Sequence, residues 1–82
     1  MGQSGLIDAL LLELSHAELH SHNAYHAARC LKTLLDSSFE MKQVLRERGL
    51  PGVMKISQRV GRRKHLLLAL ECDAALEVLA EV

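Results

Sequence analysis

The chain has 82 residues, of which 49% are hydrophobic, and its ten Lys/Arg balance ten Asp/Glu. One domain fits that length. The apolar content argues against disorder, and zero net charge is unlike the marked basicity of a dedicated nucleic-acid binder. Tyr25 and Phe39 are the whole aromatic set, so a core must be built from Leu, Ala, Val and Ile. No stretch alternates with period two, and no strand is expected.

The first element runs from Leu6 to about Leu19. Ile7, Leu10, Leu11, Leu14 and Ala17 recur at helical spacing and define one face. Leu6, Ala9, Leu12 and Leu19 fall elsewhere on the wheel, so this helix is apolar most of the way round. Such a helix is buried on more than one side, or packs with one face and offers the other to a ligand. His20-Ser21-His22-Asn23 reads as a polar turn, with Asn23 as N-cap of a second helix over about 24–36. Ala27, Leu31, Leu34 and Leu35 form the stripe of that helix. So short a connection makes the two helices an antiparallel hairpin.

Ser37 and Glu40 have capping-box spacing and predict a short third helix with Phe39, Met41, Val44 and Leu45 as its apolar positions. Gly49 stands where a glycine would end it, and Pro51 suits the start of a fourth. Val53, Met54, Ile56 and Val60 give that helix an apolar face. Gly61 interrupts the pattern as a kink or a break. Glu71-Cys72-Asp73 reads as a turn with Asp73 capping a last helix, or as part of one continuous helix over 62–81. Thus 52–81 reads as one, two or three helices.

Charge is sorted along the chain. Residues 1–28 and 65–82 hold acidic but no Lys or Arg side chains, while 42–64 carry eight Lys/Arg against Glu47 alone. Either the basic middle neutralises the acidic ends, or it offers a patch to an acidic partner. The second possibility includes a helix-turn-helix over 40–60, with Arg59, Arg62, Arg63 and Lys64 on phosphates. Two lone cysteines, Cys30 and Cys72, form no disulfide framework and suit a reducing cytosol. No basic segment precedes the first apolar run, so no secretory signal is expected. That run is also too short to span a membrane.

His16, His20, His22 and His26 form two pairs four residues apart, a spacing that can share a metal on a helix. No third ligand stands at a recognised spacing and no His-Glu-x-x-His motif is present, so polar residues gathered about a turn is the simpler account and no cofactor is expected. No Gly-rich phosphate loop or paired nucleophile and base is visible, and an enzyme is not expected.

The helix pairs resemble tetratricopeptide-like repeats. Leu11, Leu14 and Ser15, then Ala27, Leu31 and Leu34, follow that family's alternation of large and small residues. Its period of about 34 residues would start a second unit near residue 40, with a hinge between helices inside 69–79. More specifically, Leu10-Leu11-Leu12-Glu13-Leu14, Ser21-His22 and Ala27 to Leu34 resemble the start of the YscG-type chaperones of bacterial type III secretion systems. The resemblance implies an all-α domain of four or five short helices arranged as antiparallel, tetratricopeptide-like hairpins: 6–36, then about 38–82. It further implies a cytoplasmic chaperone that, with a second small helical co-chaperone, holds the amphipathic C-terminal helix of the needle subunit and prevents premature polymerisation. Leu6, Leu12, Leu19, Leu67 and Leu70 are the expected partner-facing positions. The surplus leucines have two other possible roles, packing on the later helices or joining a second copy of the chain.

Overall fold

A computed structural model describes residues 3–80 and, within them, shows an all-α fold: α1 (Gln3–Ser15), α2 (Ser21–Ser37), α3 (Phe39–Glu47), α4 (Leu50–Lys64) and α5 (Leu66–Ala80). No helix among these residues is long and apolar enough to cross a membrane.

The expected face of α1 is its inner face. Ile7, Leu14 and Ala17 are buried, with Leu10 and Leu11 packed beside them. The helix ends at Ser15 rather than Leu19. From there the amides of His16, Ala17 and Leu19 reach back three residues to Glu13, Leu14 and His16, tightening the last turn in the 3₁₀ manner. α2 consequently starts earlier than expected. It opens at Ser21 with His20 at the cap position and no side-chain cap, and Asn23 lies inside its first turn. Ala24, Ala27, Ala28, Leu31 and Leu35 are its buried stripe. Three alanines at that stripe let neighbouring backbones approach closely.

Ser38, not Ser37, caps α3, its hydroxyl accepting the Met41 amide at 3.1 Å, while the Ser37 hydroxyl donates to Leu34. Gly49 does end α3, with φ 86°, the left-handed geometry that glycine adopts without penalty. α4 then runs through Gly61 without a break, and residues 52–81 resolve into α4 and α5 with the joint at His65. His65 is extended, and its ring Nδ1 accepts the Leu68 amide at 3.3 Å, capping α5. Glu71, Cys72 and Asp73 lie within α5, so neither a turn there nor a hinge over 69–79 forms, and the alternative of one helix over 62–81 is interrupted at His65.

The hairpins α1–α2 and α4–α5 lie side by side with the same sense. Asp8 pairs with Arg48 at one end of α1 and α4, the Leu14 carbonyl accepts from Ser57 midway, and Glu18 meets Lys64 at the other end. His22 and His65 meet where α2 and α5 both begin. α2 and α4 lie between α1 and α5, which scarcely touch. The second hairpin starts at Leu50, after α3, and not near residue 40. α3 buries only Leu45, and Phe39 and Val44 are exposed. Its Arg46 reaches the Leu79 carbonyl, placing a cation at the C-terminal end of α5.

α4 and α5 form the most extensive helix contact, and Gly61 sets its closeness. A Cβ there would sit 2.6 Å from the Ala69 nitrogen and 3.0 Å from its Cα. Since the obstacle is backbone, it cannot swing aside. Gly61→Ala should therefore destabilise the fold by about 1–3 kcal/mol, the usual cost of overpacking. Gly52, in the same helix with nothing within 4 Å of an added Cβ, should gain about 0.5–1 kcal/mol as alanine. Urea unfolding of the two variants checks the opposite signs.

Candidate partner-binding surfaces

The five leucines expected to face a partner are all exposed: Leu6 53%, Leu12 59%, Leu19 78%, Leu67 53% and Leu70 61%. Leu66, at 70%, joins them. An open or half-formed fold is not the cause. A 9.1 kDa folded monomer exposes about 4,900 Å² by size scaling, and this chain exposes 4989 Å².

They do not form one groove. Leu66, Leu67 and Leu70 share the outer face of α5 at spacings of three and four, with Ala74 continuing it. The opposite face of the helix holds Leu68, Cys72, Ala75 and Leu79 in the core. Leu6 and Leu12 lie on α1, on the far side of α2 and α4. Leu6 lines an apolar cleft of about 250 Å³ with Leu10, Cys30, Thr33 and Leu34, between α1 and α2. This cleft continues past Leu10 and Cys30 toward Glu13, Asn23 and His26. Leu19 lies in the α1–α2 turn, which α4 holds by its last residues.

That hold answers the question raised by the charge pattern. Glu18 meets Arg63 at 3.0 Å and Lys64 at 3.2 Å, and Lys64 also donates to the Glu18 carbonyl at 2.9 Å. Arg48 pairs with Asp8, and Asp73 accepts from Gln58 with Arg62 at 3.8 Å. The basic middle is thus bound to both acidic ends. Three of the four cations that a phosphate backbone would have needed (Arg62, Arg63 and Lys64) are engaged within the chain. Exposed pairs of this kind are individually weak, but together they join α4 to α1 and α5. The buried Ser57 hydroxyl adds to the join with α1, donating to the Leu14 carbonyl at 2.8 Å near the end of α1. Its role was not visible in the sequence, where a lone serine in a helix carries no signal.

Histidines gather, though not the expected four. His26 Nε2 lies 3.1 Å from His22 Nε2, and His22 Nδ1 lies 3.4 Å from His65 Nε2. Tyr25 stacks on the His65 ring, and the Arg29 guanidinium lies over the Tyr25 ring, 5.7 Å from its centroid. His16 and His20 take no part in these ring contacts. His65 was missed because only the folded chain brings it 43 residues back to His22. Among the described residues, no three His, Cys, Asp or Glu side chains converge on a metal position. Cys30 is exposed. Cys72 is buried, and burial, then Asp73 and Glu71, pushes its thiol up to about 12, so it is an inert core residue at neutral pH.

No protein-family model, curated protein or solved structure matches the chain.

The Lys64 ammonium, followed by the Arg63 guanidinium, holds the Glu18 carboxyl below the ordinary carboxylate range. A depressed folded value means that this contribution to stability is present above the unfolded value and is lost as pH falls through the folded one. Carboxyl NMR titration should place Glu18 below 4.5, its ordinary value. Lys64→Ala should raise it; an unchanged Glu18 in that variant would mean the pair does not form.

Proposed function

We propose that this chain is a helix-binding chaperone that works within a heterocomplex. The observation that carries the reading is the outer face of α5, where Leu66, Leu67 and Leu70 are exposed on a helix whose other face is fully packed. An apolar strip at three- and four-residue spacing is complementary to the apolar stripe of an amphipathic helix. Covering a leucine side chain completely contributes about 1.5–3 kcal/mol, so three of them supply the core of an interface. α1 carries a second apolar surface at Leu6 and Leu12, separated from the first by α2 and α4. Two separated surfaces fit two partners. The α5 face takes the amphipathic C-terminal helix of a type III secretion needle subunit, and the α1 surface takes a second small helical co-chaperone. The partial resemblance to the YscG-type chaperones supplies the identity of the partners. Sequestering the helix in the cytoplasm prevents premature polymerisation.

Binding of a fluorescent peptide spanning a needle subunit's C-terminal helix tests the assignment. Leu70→Asp should weaken it by at least about 30-fold, the loss of a ~2 kcal/mol hot spot. Leu12→Asp should abolish co-chaperone binding but leave the peptide affinity unchanged. Both variants should keep the helical circular dichroism of the parent, since both side chains are exposed. Equal peptide affinity in the parent and Leu70→Asp would remove α5 as the binding face.

A further inference from the structure

The histidine cluster is unexplained by helix binding, and its hydrogen bonds have a fixed direction. His65 Nδ1 accepts the Leu68 amide, so a neutral His65 carries its proton on Nε2 and donates it to His22 Nδ1. A neutral His22 then carries its own proton on Nε2 and donates to His26 Nε2. The chain ends at His26 with two Nε2 atoms facing each other 3.1 Å apart, on consecutive turns of α2 and open to water.

Two imidazole nitrogens that close are placed as metal ligands. With metal–nitrogen bonds of about 2.0–2.1 Å, a 3.1 Å separation subtends about 98° at the ion. That angle lies between the right angle of a tetragonal ion and the tetrahedral one, and among divalent first-row ions imidazole nitrogens favour Cu²⁺ most. We infer that His22 and His26 form a two-nitrogen seat for a tetragonal divalent ion of the copper type, with water in its remaining positions. His65 is not a ligand. In the ion-free chain it holds the His22 ring from the other side and sets the tautomer with the proton on Nε2.

Binding carries a rearrangement of protons that makes the assignment specific. The ion takes the lone pair of His22 Nε2, so the proton there moves to Nδ1. His22 Nδ1–H now faces His65 Nε2–H, donor against donor. His65 cannot accept from both His22 and Leu68 while neutral and protonated on a ring nitrogen. The His22–His65 contact or the Leu68 cap must therefore open. His65 thus opposes the ion, and its removal should not weaken binding.

Titration of the full chain with Cu²⁺, followed by calorimetry and electron paramagnetic resonance, tests this. The expected result is one ion per chain with hyperfine coupling to two imidazole nitrogens. His22→Ala and His26→Ala should each weaken binding by at least about tenfold, since a lost ligand costs no less than a lost supporting residue. His26→Gln repeats the test with a side chain of similar bulk. Circular dichroism should be unchanged, because both rings are exposed. Cys30→Ala, His16→Ala and His65→Ala should bind at least as tightly as the parent. Absence of saturable binding would overturn the inference, as would binding that survives His22→Ala or His26→Ala. Loss of binding in Cys30→Ala would move the site to the thiol, and loss in His65→Ala would make it a three-histidine site; either contradicts the two-nitrogen seat.

Discussion

The close approach of α4 to α5 at Gly61 is the constraint on which the rest of this structure depends. Without a side chain at that position, the Ala69 backbone comes within van der Waals range of the α4 backbone. The crossing seats Leu68, Cys72 and Ala75 in the core, which fixes the rotation of α5 about its axis. Rotation in turn decides what α5 shows to solvent. A helix with apolar residues on every side must expose some of them once one face is chosen, and here they are Leu66, Leu67 and Leu70. The exposed strip is a consequence of a packed core, not of a poorly packed one.

A second set of contacts works at the other junction. After Ser15 the end of α1 tightens into three-residue hydrogen bonds. Glu18, held by Arg63 and Lys64, and the Leu14 carbonyl, held by Ser57, attach that turn to α4. Individually these exposed pairs are weak. Their position is what matters, because they join the first hairpin to the second at the end where the histidines of α2 meet the joint before α5.

Much of this was legible in the sequence. The inner face of α1 follows from the spacing of Ile7, Leu14 and Ala17, and that of α2 from Ala27, Leu31 and Leu35, because helical periodicity is a local property. The sorting of charge likewise foreshadowed ion pairs between the middle and the ends. What was illegible depended on tertiary contact. A glycine that ends a helix and a glycine that admits a neighbouring backbone look alike in sequence, so Gly61 reads as a kink or a break although only Gly49 ends a helix. Adjacent serines offered two caps, and only the folded chain selects Ser38. Phe39 and Ile56 stand among the expected apolar positions of their helices, yet both are exposed, since α3 and the outer side of α4 have no helix to cover them. The candidate surface shows the same division. The surplus of leucines was visible, but their separation onto α1 and α5 follows only from α2 and α4 lying between those helices.

Leucine methyl NMR during titration with the needle-subunit helix peptide reads out which face of the molecule the peptide covers. The account predicts shifts at Leu66, Leu67 and Leu70, with the buried methyls of Leu14, Leu31 and Leu45 unmoved. Shifts confined to Leu6 and Leu12, or no shift at any exposed leucine at saturating peptide, would contradict it.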